Sequence, residues 1–329
     1  MRRREFIAAL AGVTLVCPAS IRAQQPVRPK LIGFALSTLE GDAEGQERVK
    51  ALRQALQRLG WNEGSNIRLE FAWVGNDPER ALVISKQLVQ LAPDLIVTSG
   101  TVATVALHKL TRTIPVVFVN VTDPVAGGLV ASLSHPGGNM TGFTPFEYPI
   151  AGKWLERLRE VAPRLARVAL LGDPSNHNFL GFWRSFEAAA AGLRIKPVQV
   201  PARSAGEIEQ GIVALAGEPD GGLIVTAAAF SLQHRDLIIG LAAKHRLPAI
   251  YWSRYFPHMG GLISYGPDTN QLVAQSAVYV DRILKGERPE DLPVQEASKF
   301  ETVLNLKTAK SLDLAVSVQL MAQADEIIE

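Results

Sequence analysis

Short apolar runs alternate with amphipathic stretches along this chain. Lys30–Ala35 reads as a strand. From about Glu44 to Leu59 the apolar positions follow helical spacing, with Leu52, Ala55, Leu56 and Leu59 on one face and Gly60 as the stop. Ile67–Trp73 alternates with the period of a strand. Asp77-Pro78-Glu79 predicts a helix start, with Asp77 as cap and proline at the first helical position. Asp94–Thr98 and Pro115–Asn120 are apolar and β-branched, the pattern of strands buried on both faces, and Thr101–Leu110 between them is helical. This alternation predicts a parallel sheet with helices on both faces.

The pattern then restarts. Arg167–Gly172 predicts a buried strand, followed by a helix from about Phe179 to Leu193 and a polar strand over Ile195–Val200. A helix over about Ala205–Leu215, a strand over Gly222–Thr226, a helix over Leu232–Arg246 and a strand over Pro248–Trp252 complete the second set. The two sets share residues as well as order. Leu95-Ile96-Val97-Thr98 recurs as Leu223-Ile224-Val225-Thr226, and each copy leads to a helix ending at a proline that opens a strand, at Pro115 and at Pro248. Matching order makes structural duplication the better reading of a short identity. Two glycine-flanked extended segments, Gly137–Phe143 and Gly260–Gly266, join the sets as crossings between two lobes would. The expected layout is a leader over 1–23, a first lobe over 28–143 plus 266–296, and a second over 144–265 plus 297–329. The last helix expected in the first lobe covers Asn270–Lys285, and the closing strand and helices pack near the second lobe.

A chain of 329 residues suits two lobes, and 47% hydrophobic against 20% charged residues is a globular composition with material for two cores. The start reads as a signal peptide. Arg2, Arg3 and Arg4 precede an apolar stretch from Phe6 to Val16, with a candidate cleavage site after Ala23. Arg3-Arg4-Glu5-Phe6 also fits a twin-arginine signal. Cleavage removes four arginines and one acid, so Lys+Arg falls from 34 to 30, Asp+Glu from 32 to 31, and net charge from +2 to −1. That leaves no general nucleic-acid footprint. The apolar stretch is too short to span a bilayer, so the expected product is a periplasmic chain that does not span the membrane. The one cysteine, Cys17, lies in the leader behind Val16, which excludes disulfides and thiolate chemistry from the mature chain and argues against a lipid anchor.

Catalytic signatures are missing. No dinucleotide fingerprint, phosphate loop, nucleophile elbow or His-Glu-x-x-His pair occurs, and the six histidines are scattered. No enzyme, cofactor or metal site is expected. What remains is a set of polar loops at the carboxyl ends of strands, where open α/β sheets bind ligands. In the first half these carry Ser37 and Thr38, then Ser99, Gly100 and Thr101, then Asp123. Ser99–Thr101 opens a helix whose free amides suit a carboxylate, with simple capping by Ser99 or Thr101 as the plainer reading. In the second half the loops carry Asp173 and Asn176, then Ala228, while Tyr251 and Tyr265 are aromatic candidates alongside Phe230 and Trp252.

These stretches resemble the ABC-transporter substrate-binding family that includes the tryptophan- and tyrosine-binding proteins. The resemblance rests on Asp94–Val97 with Gly100-Thr101, Ile114–Phe118, Asp123-Pro124-Val125 with Gly128-Leu129-Val130, Pro136–Gly142, Gly260–Gly266 and Ala324–Ile328. It implies a type I periplasmic-binding fold, two doubly wound parallel-sheet lobes joined by crossover hinge segments, closing on a small-molecule ligand. It also implies an inner-membrane ABC permease with its ATPase as partners, and a monomer. Amino-acid binders of the family place an acid in the loop that here reads Ala227-Ala228-Ala229, where a ligand ammonium would be costly without a counter-charge. Asp123 or Asp173 is the substitute counter-charge the sequence offers, so an ordinary amino acid stands as one candidate among several carboxylate-bearing ligands, aromatic or branched acids included. A sensor serving a membrane receptor and, further off, a doubly wound hydrolase are the alternatives. The ligand-sensing domain of a regulator would need a DNA-binding motif before residue 30, where the leader stands.

Overall fold

The computed structural model describes residues 28–329; the expected leader, with Cys17, lies outside them. The first half and a later return form a six-stranded sheet, ordered β11-β5-β4-β3-β1-β2. Its strands are β1 (Lys30–Leu36), β2 (Ile67–Trp73), β3 (Leu95–Ser99), β4 (Val116–Val119), β5 (Met140–Thr144) and β11 (Gln295–Glu296), all paired in parallel. The second sheet has seven strands, β13-β12-β10-β9-β8-β6-β7. These are β6 (Arg167–Gly172), β7 (Lys196–Pro201), β8 (Gly221–Val225), β9 (Ala249–Tyr251), β10 (Ile263–Gly266), β12 (Glu301–Asn305) and β13 (Glu326–Ile328). Two parallel-sheet α/β lobes result. One strand breaks the parallel rule: β12 runs antiparallel to β10, because the chain reaches it from the first lobe by a short crossing rather than a helical return.

Each sheet is covered on both faces, which is why its central strands are continuous apolar runs. In β3, Leu95 and Val97 point into a core shared with helices Ala43–Arg58 and Thr269–Leu284. Ile96 points the other way, into a core with helices Pro78–Gln90 and Thr101–Leu110. Val273, Ala277 and Val280 bring Thr269–Leu284 back onto the first sheet. In the second lobe Val168–Leu171 and Leu223–Val225 are fully buried, and Leu304, Ala309 and Leu320 carry the end of the chain into the same core.

Capping follows the sequence. Asp77 accepts from the amides of Glu79 and Arg80, and Asp42 caps Ala43–Arg58 through the Gly45 amide. The single helix expected over Leu232–Arg246 is two, Ala229–Gln233 and Arg235–Lys244, with His234 at φ −106°, ψ 16° closing one and opening the other. That break aims Arg235 back toward the first lobe, as its contacts below show.

The crossings explain two glycines. Gly142 on β5 lies opposite Phe118 on β4, and a methyl group there would overlap the Phe118 carbonyl oxygen. Gly266, at the end of β10, would meet the Trp252 carbonyl in the same way. Each crossing strand thus presses its last glycine against the end of the strand that follows a proline in its own half, the same device used twice. Gly142→Ala and Gly266→Ala are each expected to lower unfolding free energy by about 1–3 kcal/mol through overpacking. Gly138, with open space around its α-carbon, should tolerate alanine to within about 0.5 kcal/mol. Urea unfolding of the three variants checks this; an equal cost at all three positions would contradict it.

Candidate functional site between the lobes

The carboxyl ends of β1, β3 and β4 face those of β6, β8 and β9, and the loops between them enclose a cavity of about 40 Å³. The first-lobe wall is built around helix Thr101–Leu110. Gly100 stands at its N-cap with φ 98°, and a side chain there would press on Ser37. The capping oxygen comes from elsewhere in the sheet: Ser37 Oγ accepts from the Ala103 amide at 3.0 Å. Neither Ser99 nor Thr101 caps the helix. Among the described residues nothing accepts from the amides of Thr101 and Val102, so two donors at the positive end of the helix remain free.

Arg48 is the one charged side chain lining this cavity among the described residues. It is only 3% exposed. Its Nη2 donates to Glu44 one turn earlier, which is equally buried. Burial pushes the Glu44 carboxyl above its ordinary pKa, and Arg48 opposes that push. The pair is incompletely satisfied: Arg48 Nε and Glu44 Oε2 have no partner among the described residues. Asn120 adds a second unsatisfied group. It sits at φ 57°, donates from Nδ2 to Ser99 Oγ at 3.3 Å, and leaves Oδ1 buried without a donor. Unsatisfied buried groups cost about 1–3 kcal/mol each, so these residues are held beside the cavity at the expense of stability.

The second-lobe wall is less polar. Asn176 caps helix His177–Leu193 through the Asn178 amide and also lines the cavity. Ala227, Ala228, Ala229, Leu232 and Trp252 complete this wall, and Phe146 lines it from the crossing after β5. Trp252 Nε1 points to Ser231 Oγ at 3.3 Å, which fixes the indole.

Of the residues expected from the sequence, Ser37, Gly100, Thr101, Asn176 and Ala228 line the cavity. Thr38 lines an adjoining space with Asp42 and Arg235, and Asp173 another with Thr101 and Asn176. The structure does not bring the remaining four to the cavity. Ser99 is fully buried behind the wall. Asp123 turns to the Ala126 amide and caps its own turn. Tyr251 is 1% exposed and stacks on Phe256 at 4.6 Å, its phenol pushed up by burial. Tyr265 stacks on Phe300 at 5.5 Å beside the Arg157 guanidinium, on the crossing strand. Arg48, Asn120 and Phe146 were missed by sequence reasoning. Arg48 had a signal: Glu44, Arg48, Leu52 and Leu56 are spaced by four, which puts an ion pair on the buried face of the helix.

Among the described residues, three polar side-chain contacts join the lobes. Arg235 Nη1 pairs with Asp42 Oδ2 at 2.7 Å, with side chains 19% and 15% exposed. Asn270 Nδ2 donates to Tyr255 Oη at 2.8 Å, and Asn178 Nδ2 approaches Thr101 Oγ1 at 3.4 Å. Burial raises the Tyr255 phenol to about 12, so it stays a neutral hydrogen-bonding group.

Two parallel-sheet lobes whose carboxyl-end loops line a common cavity have the arrangement in which open α/β sheets take ligands. Among the described residues no group of three His, Cys, Asp or Glu could hold a metal, and no helix is long and apolar enough to cross a membrane. The chain belongs to the ABC transporter substrate binding protein family, whose sequence pattern matches residues 35–328. It is 27% identical over 265 residues to the tyrosine-binding protein of Clostridioides difficile (strain R20291), covering 80% of this chain and 76% of that one. Among solved structures it is similar to a conserved domain protein from Vibrio cholerae, with a TM-score of 0.85 and 26% identity over 91% of this chain and all of that one. The fold is also that of the ABC domain in complex with L-Trp from Streptococcus pneumoniae, with a TM-score of 0.85 and 23% identity over 91% of this chain and 100% of that one.

Asp42→Asn keeps an oxygen for the Gly45 amide but removes the charge facing Arg235. It is expected to destabilise the closed arrangement by about 1 kcal/mol, roughly fivefold in ligand affinity. Small-angle scattering of the ligand-free chain should show a larger radius of gyration for the variant. An unchanged radius together with unchanged affinity would remove the ion pair from the closure contacts.

Proposed function

We propose that this chain is the exported, periplasmic solute-binding component of an ABC importer. It captures a small carboxylate-bearing ligand with an aromatic or branched body between its lobes. It acts as a monomer without a cofactor, and hands the ligand to an inner-membrane permease driven by its ATPase. The observation that carries this reading is the charge of the cavity lining: one buried guanidinium, Arg48, and no acid. A carboxylate placed there meets the Arg48 guanidinium and the free amides of Thr101 and Val102, donors of the kind that make strong charge-assisted bonds.

The tyrosine-binding relative supports an aromatic carboxylate. The wall at Ala227–Ala229 favours an acid without an amine over a zwitterion. Glu44 bonds Arg48 through one oxygen and does not line the cavity, so an ammonium placed there would meet no acid in the lining. Trp252 and Phe146 offer apolar surface to the ligand's body. Closure follows by population shift. The ligand touches Arg48 in one lobe and Asn176 and Trp252 in the other only when the lobes are together, so it favours that state by its differential affinity.

Thermal unfolding of the mature chain, stripped of carried-over ligand by unfolding and refolding, tests this against amino acids, aromatic acids, branched acids, nucleosides and sugars. A carboxylate without an amine, at roughly a thousand times its dissociation constant, should add about 4 kcal/mol, a shift of several degrees. Thr101→Ala and Asn176→Ala should each weaken that ligand. Glu44→Gln with Arg48→Met removes the guanidinium without stranding a buried acid, and should abolish the shift while the chain stays folded. A shift from sugars or amino acids alone, indifferent to the double variant, would sink the proposal.

A further inference from the structure

The cavity is small for the ligand it is asked to hold. By its measure a water needs roughly 10–15 Å³, so about 40 Å³ takes a carboxylate and a few carbons. A benzene ring needs roughly 150 Å³. Any larger body must leave the cavity, and two wider spaces open off its lining.

The first, of about 360 Å³, shares Ser37, Ala229 and Leu232 with the cavity. Its other walls include Thr38, Gln233 and Asp236, and the Asp42–Arg235 ion pair lies across it. That space carries three charged side chains, Asp42, Arg235 and Asp236, where an apolar body would displace their hydration. The second, of about 230 Å³, shares Thr101, Val102 and Asn176 with the cavity. Its first-lobe walls are Asn76, Pro78, Leu82 and one stripe of helix Thr101–Leu110, where Val102, Val105, Ala106 and Lys109 follow one another at helical spacing. Val102 and Val105 are only half-buried, so apolar surface is left open along the stripe. From Val102 to Lys109 the helix rises about 10 Å. Asp173 and Ser175 face this stripe from the second lobe.

We propose that this side space is a second subsite, and that the ligand is a carboxylate with an extended apolar body, an arylalkyl or medium-chain acid, longer than a free amino acid. The inference rests on the carboxylate reading above. The acid group sits at the head of helix Thr101–Leu110, and the body runs out along its Val102–Val105–Ala106 face toward Lys109. The helix serves both ends of one ligand: its free amides hold the charge and its side chains hold the chain.

Calorimetric titration of the mature chain with acetate, butanoate, hexanoate, octanoate and 4-phenylbutanoate tests it. Affinity should rise about threefold to fourfold per methylene beyond butanoate, the fold-change of burying about 0.8 kcal/mol each. Val105→Trp and Leu82→Trp, on two different elements, fill the space. Each should flatten the rise and leave acetate and butanoate unchanged, with the melting temperature as a check on folding. Short acids that bind while added length gains nothing, or a slope that survives both tryptophans, overturns the subsite and leaves the carboxylate reading intact. A slope lost in Thr38→Trp instead places the body in the polar space and also overturns it. If no acid binds at any length, the subsite falls together with the reading it rests on.

Discussion

A parallel sheet buried on both faces has only its ends left for polar chemistry, and that constraint organises this molecule. Continuous apolar runs such as Leu95–Val97 and Leu223–Val225 fill both faces of the central strands, and in β3 the polar residues Thr98 and Ser99 come only at the carboxyl end. Polar groups gather where the strands stop, in the loops at Ser37, Gly100, Asn120, Asn176 and Ala227–Ala229. Because the two sheets are turned carboxyl end to carboxyl end, both sets of loops meet in one place. The crossings enforce that arrangement. Gly142 and Gly266 lie so close to neighbouring carbonyls that the connecting strands are locked onto each sheet.

Within that frame the decisive local feature is a buried charge pair with work left undone. Glu44 and Arg48 are one turn apart on helix Ala43–Arg58, bonded through one nitrogen and one oxygen. A buried pair is weak evidence for stability, since desolvation offsets much of its attraction. Arg48 nonetheless lines the cavity, which is why the proposed ligand is placed against it. The Asp42–Arg235 contact begins at the cap of the same helix. Ligand contact and lobe contact therefore share one rigid element, which is a simple physical route from binding to closure.

The fold was legible because buried strands and amphipathic helices differ in period, and because the pattern occurs twice. Less legible were features that depend on neighbours distant in sequence. The antiparallel β12 and the helix break at His234 carry no local signature. At the site, neighbours at and just past the strand ends take different directions, which sequence alone does not set. Tyr251 turns into the core and Trp252 into the cavity, and Thr122 lines the wall while Asp123 caps a turn. Ser37 was read as a ligand contact, and its role as cap for a helix sixty residues away could not be read from either segment alone. Arg48 was overlooked because the helix was read for its apolar face, although its spacing from Leu52 marked it as buried.

The central claim is that a carboxylate meets Arg48 and the head of helix Thr101–Leu110 between the lobes. A crystal structure of the chain purified with the ligand it carries from its own cells tests this most directly. The account predicts a ligand carboxylate within about 3 Å of the Arg48 guanidinium and of the Thr101 or Val102 amide, with Asn176 and Trp252 on its other side. A ligand bound away from Arg48, or one that turns an uncharged hydroxyl or an amine toward it, would contradict the account.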